Sequence, residues 1–141
     1  MRRGATRSLG LDVGDRHIGI ALSDTIGILA TPLTILERRD ESKDIEAIVD
    51  IISQRQVKKI VIGLPYTMNG SIGQQAEKVL AFVEKLNIKT KVPVILRDER
   101  LTTVSARRLM QATITKKNRR KTRDDAIAAA IILQGYLDEA Y

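Results

Sequence analysis

Three groups of acidic residues stand out: Asp12, the pair Asp98 and Glu99, and the pair Asp124 and Asp125. Asp12 lies inside an apolar, strand-like run, with Gly10 and Gly14 on its own face. Burying a carboxylate without a partner is expensive, and the glycines leave room for a backbone, a helix or a phosphate to approach. The plainer alternative is an Asp that ends a strand and caps the following turn. Asp98 and Glu99 end another apolar run, between Arg97 and Arg100. Strand ends of this kind bind ligands in open α/β sheets, although the same four residues would also make a surface ion-pair cluster. Asp124 and Asp125 open an alanine-rich segment. Thr122 and Asp125 have capping-box spacing, and acids there also suit a helix N-terminus. Asp125, Ala128, Ala129 and Ile132 fall on one helical face, whose small residues would let the helix lie against the first strands and bring Asp125 near Asp12. Acids from two strands and a helix are a donor set for hard cations such as Mg²⁺ or Mn²⁺. Two such cations about 3.5–4 Å apart would activate water and stabilise a leaving oxygen in phosphodiester hydrolysis.

Other chemistries are excluded by composition. The chain has no cysteine and a single histidine, His17. Thiol nucleophiles, iron–sulfur clusters, zinc–cysteine sites and HExxH sites are therefore absent. There is no GxxxxGK[ST] phosphate loop and no GxSxG elbow. The absence of cysteine fits a reducing cytoplasm. No apolar run approaches a membrane span, and the basic N-terminus is not followed by a signal-peptide core.

The net charge of +7 is unevenly placed. Residues 97–123 hold ten basic side chains, among them Arg100, Arg107, Lys116, Lys117, Arg119 and Arg120, against only Asp98 and Glu99. The rest of the chain is close to neutral, so one segment carries the excess. A local phosphate-binding surface accounts for that pattern, as does a solvated charge run. Aromatics are only 3%, which argues against base-stacking platforms and for recognition of backbone and shape.

These residues need elements to position them. The 141 residues suit one domain spanning 1–141, with 43% hydrophobic residues to build its core. Residues 8–13 and 18–23 read as strands joined by a turn at 14–17, each with a large apolar face and a face of very small residues. A third strand is expected over 28–36, broken near Thr31-Pro32. Ile45, Ile48, Val49 and Ile52 have helical spacing, as do Ile72, Ala76, Val79, Leu80 and Val83, with Ser71 as a candidate cap. Strands are expected over 59–63 and 93–97. A helix capped by Thr102 or Thr103, a basic loop over 115–122 and a helix over 123–138 complete the pattern. The order predicts an α/β fold: a mixed sheet, antiparallel meander first and parallel strands after, with helices on both faces.

Four blocks carry a family resemblance: LGLDVGDRHIGIALSD from Leu9, IGLPYTMNGS from Ile62, DERLTT from Asp98 and DAIAAAIILQ from Asp125. Together they resemble the YqgF family, which is similar to RuvC-type Holliday junction resolvases and has an RNase H-like fold. The resemblance implies a nuclease using Mg²⁺ or Mn²⁺, and 5′-end processing of the 16S ribosomal RNA precursor. It assigns Asp12, Glu99 and Asp125 as catalytic and metal-binding acids, with Asp98 and Asp124 as the adjacent alternatives. Arg16-His17 departs from the family pattern, which has a second basic residue there. Arg16 joins the basic residues expected to contact nucleic acid, and His17 is either a phosphate contact or a solvated turn residue. Structured RNA, in ribosomal precursor particles, is the expected partner. A four-way DNA junction would call for a symmetric dimer, whereas the sequence suggests a monomer or weak homodimer. A non-catalytic nucleic-acid-binding factor and a nucleotide-binding ATPase are the competing readings; the latter lacks a second lobe to enclose nucleotide.

Overall fold

The computed structural model describes residues 6–101 and 124–139. Strands β1 (Arg7–Val13), β2 (His17–Ser23) and β3 (Ala30–Glu37) form the meander. Helix α1 (Glu41–Gln54), strand β4 (Val57–Leu64), helix α2 (Gln74–Lys89) and strand β5 (Val94–Asp98) follow. A 3-10 turn (Glu99–Leu101) ends the first described stretch, and helix α3 (Asp124–Glu139) forms the second. The sheet order is β3-β2-β1-β4-β5. β1 runs antiparallel to β2, and β2 to β3, while β1–β4 and β4–β5 are parallel. The expected mixed sheet with helices on both faces is what forms.

The two-faced strands explain the layering. Leu9, Leu11, Ile18, Ile20, Ile60 and Ile62 project to one side and are sealed by Ile45 and Ile48 of α1 and by Val79, Phe82 and Leu86 of α2. Burying each such side chain contributes about 1.5–3 kcal/mol. The opposite face is small: Ala21, Ala30 and Val61 meet Ala129, Ala130 and Leu133 of α3. At Gly10 an added Cβ would lie 2.8 Å from the Ala129 carbonyl oxygen and 2.8 Å from the Leu133 Cβ. The α3 backbone therefore rests on β1 through a glycine.

Three local expectations are corrected. The third strand begins at Ala30, because the Asp24 carboxylate accepts hydrogen bonds from the amides of Gly27, Ile28 and Leu29 and holds 24–29 as a loop. It is not broken at Pro32: the register to β2 shifts there, and an edge strand tolerates the missing donor. Ser71 does not cap α2. The N-cap is Gly73, Ser71 instead bonds Thr67 and Asn69, and Ile72 lies outside the helix, 44% exposed. The expected helix from Thr102 or Thr103 and the loop over 115–122 lie outside the described residues.

Candidate active site

The parallel strands β1, β4 and β5 all end at one edge of the sheet, and that edge collects the acids. Asp12 is the penultimate residue of β1, opposite Gly19 of β2. Its turn is held by Arg38, which donates to the Gly14 carbonyl at 3.0 Å while its backbone amide donates to the Arg16 carbonyl at 2.9 Å. Arg38 is fixed in turn by buried Asp44 at 3.4 Å and stacks over Phe82 at 5.4 Å. The turn residue Arg16 is exposed and His17 begins β2.

Glu99 is the first residue after β5. Its side chain folds back across β4 at Gly63, where an added Cβ would lie 2.8 Å from the Glu99 Cγ and 3.1 Å from its Cδ. Any larger residue at 63 would displace the carboxylate. The glycine thus brings Glu99 towards Asp12, one strand away. Burial above all, then the negative charges of Asp12 and Asp98, together push the Glu99 pKa up to about 7.

Asp98 has a different environment. Arg100 grips its carboxylate with both Nε, at 3.1 Å, and Nη2, at 2.7 Å, and donates its backbone amide at 2.9 Å. These bonds, above all the side-chain ones, hold Asp98 below its usual pKa. Arg100 also stacks over Tyr66 at 5.3 Å. Leu64, Tyr66, Gly70, Leu96, Asp98 and Arg100 line a cavity of about 450 Å³ beside the acids. The sequence reading placed Arg100 among the nucleic-acid contacts but missed Tyr66 and Arg38. Both sit in loops or strand ends with no spacing signal, and only their contacts reveal them.

The backbone of Asp125 opens α3, one helical turn before Ala129. Since Ala129 rests on Gly10, that turn runs towards the Asp12 end of β1: Gln134, further along, bonds the Ala30 amide at the opposite end. Among the described residues no three His, Cys, Asp or Glu side chains form a metal cage. Arg107, Lys116, Lys117, Arg119 and Arg120 lie outside the described residues.

The acids still fit a divalent cation. Two carboxyl groups are close enough for one to raise the other's pKa, and every cause acting on Glu99 disfavours its charge. A hard cation would relieve that repulsion with the oxygen ligands it prefers.

Residues 6–139 match a family described as RuvX: Holliday junction resolvase. The chain belongs to the RuvX family. A relative from Desulforudis audaxviator, named "Putative pre-16S rRNA nuclease", is 46% identical over 132 residues, 94% of each chain. One of the same name from Dehalococcoides mccartyi is 50% identical over 127 residues, 90% of this chain and 94% of that one. The RuvX assignment agrees with the fold. RuvC from T. thermophilus, solved with a Holliday junction substrate, superposes with a TM-score of 0.62 over 96% of this chain and 95% of its own at 13% identity. The expected nuclease family and RNase H-like architecture are thus both found. No described helix is long and apolar enough to cross a membrane.

Proposed function

We propose that this chain is a single-domain, divalent-metal-dependent endonuclease acting on structured RNA, with the 5′ end of the 16S ribosomal RNA precursor as its substrate. The observation that carries this reading is the convergence of Asp12 and Glu99 across Gly63, with Glu99 held near neutrality by burial and by Asp12. The relatives named as pre-16S rRNA nucleases support the substrate.

Asp12, Glu99 and Asp125 are the residues that would hold Mg²⁺ or Mn²⁺. When bound, the cation supplies an activated water and charge stabilisation at the leaving oxygen. The chain's own part is to orient and restrain. The Arg38 clamp fixes the turn after Asp12, and Gly63 fixes the path of the Glu99 side chain. Asp98 locks the Arg100 guanidinium against Tyr66, leaving a flat cationic platform at the mouth of the neighbouring cavity to receive a phosphate or a base. Arg16, Arg107, Lys116, Lys117, Arg119 and Arg120 extend the contact to the RNA backbone, in a monomer or weak dimer working in the cytoplasm.

Resolution of four-way DNA is the second reading, favoured by the family's description. One experiment separates them: the protein and its Asp12→Asn variant are incubated with labelled precursor RNA and with a four-way DNA junction, with and without Mn²⁺. RNA cleavage that needs both metal and Asp12 is expected. Junction cleavage alone would transfer the function to DNA. Binding without any cleavage would favour a non-catalytic factor.

A further inference from the structure

At the end of the sheet away from the acids lies a cavity of about 350 Å³, lined by Arg7, Thr25, Arg55, Gln56 and Lys58. Of its five described lining residues, three are cationic and none is acidic. Asp12 lies five residue steps along β1 from Arg7, about 17 Å of strand. This is a separate place on the molecule.

Its construction is unusual in three respects. The register between β1 and β4 slips here: Arg7 pairs with Val57 but Ser8 pairs with Lys59. The slip leaves Lys58 with no register partner on β1, the kind of irregularity that re-aims a side chain. Gln56 has φ 55°, the one described residue other than glycine in the left-handed region. It follows the end of α1, where glycine is the usual occupant, and here a polar side chain is kept on the cavity wall instead. The Nε of Arg7 is buried with no hydrogen-bond partner. An orphaned, buried guanidinium donor is destabilising until something accepts from it. Asp24, next to Thr25 of the cavity wall, spends its carboxylate on the amides of its own loop.

Three cations and an unsatisfied donor call for an oxyanion with several acceptors. We propose that this cavity binds a phosphate group. Phosphate presents enough oxygens to take the Arg7 Nε together with Arg55 and Lys58, and the open cavity would admit either a phosphate of a nucleic-acid strand or one on a free small molecule. The site does not depend on the acids and binds without cleavage.

The test is a titration of the metal-free full chain with inorganic phosphate, followed by amide and Arg Nε–H NMR resonances. Shifts confined to Arg7 and residues 55–58 are expected. Arg55→Gln/Lys58→Gln should weaken that binding by about tenfold or more, given the strength of charge-assisted hydrogen bonds. Lys58→Gln alone, at an exposed position, provides the same reading should the double variant melt early. A second arm measures labelled structured RNA by anisotropy in EDTA over a salt series. A slope shallower by about 0.7–0.9 for each lost contact places an RNA phosphate in the cavity. An unchanged slope with retained phosphate shifts assigns it to a free phosphorylated compound. No shift at these residues overturns the proposal and leaves Arg55 and Lys58 as side chains that merely offset the C-terminal end of α1. Because neither arm uses cleavage, a protein that cuts nothing could still pass, and an active nuclease could still fail.

Discussion

The two faces of the sheet are packed on different principles. Towards α1 and α2, Leu9, Leu11, Ile18, Ile60 and Ile62 interdigitate with Ile48, Phe82 and Leu86, so the helices are held off at side-chain distance. Towards α3, Gly10 and Gly63 let a helix and a carboxylate come down to the strands themselves. The large-residue face supplies stability. The small-residue face supplies position, because where side chains are absent the helix backbone and Glu99 have almost no latitude. The acids proposed as catalytic lie on the second face.

The contrast can be broken by substitution. The largest stability loss is expected at the thick face: Leu86→Ala should cost about 2–5 kcal/mol by leaving a cavity, read as a lower melting temperature, while cleavage per folded molecule stays unchanged. Gly10→Ala should cost about 1–3 kcal/mol, because its Cβ meets the Ala129 carbonyl and Leu133 at 2.8 Å. Here cleavage per folded molecule should also fall, about a hundredfold for a shift of roughly 1 Å at the site. Equal activity losses for the two variants would erase the distinction between the faces.

Gly63→Ala sharpens it further. The new methyl lands on the Glu99 side chain, a flexible group, and on the Ile132 Cδ1 at 2.6 Å. A modest stability loss is expected, about 1 kcal/mol, together with weaker Mn²⁺ binding by calorimetry. Full metal affinity in Gly63→Ala would show that Glu99 need not cross β4.

The smallest effect is the dependence on pH. In the metal-free protein Glu99 has a pKa of about 7, above the ordinary 4.5 it has when unfolded. The native state then holds its proton more tightly than the unfolded chain, so stability falls as pH rises from about 4.5 to about 7 and levels off above. Glu99→Gln lacks this slope. Its melting temperature should match the wild type near the acid end of that window and exceed it by a few degrees at the alkaline end. Added Mg²⁺ should narrow the gap by stabilising the wild type. Parallel melting curves across the window would contradict the burial of Glu99 beside Asp12.

Much of this arrangement is legible in the chain. Alternation in 8–13 and 18–23 depends only on a period of two, so both strands and their two faces could be read directly, and Ala128 and Ala129 announce a helix that packs closely. The edges were harder. The Asp24 loop and the Thr67–Asn69–Ser71 cluster rest on side chains bonding nearby backbone or one another, which displaced the start of β3 and the cap of α2. Asp98 and Glu99 are equivalent in sequence, adjacent acids between arginines. Only the fold separates them, by giving Asp98 the Arg100 fork and turning Glu99 across Gly63. The basic cavity at the far end was hidden altogether, because Arg7, Arg55 and Lys58 fall in stretches whose charges nearly cancel when counted along the chain.

By itself, then, the sequence determined the strand periodicity, the small-residue face, the inventory of acids and the basic segment, all properties of neighbours along the chain. Which acid has its pKa raised, which arginine is held and where three distant cations meet were decided by tertiary structure. Burial and Coulomb interaction depend on distance through space, and the chain sets that distance only once it has folded.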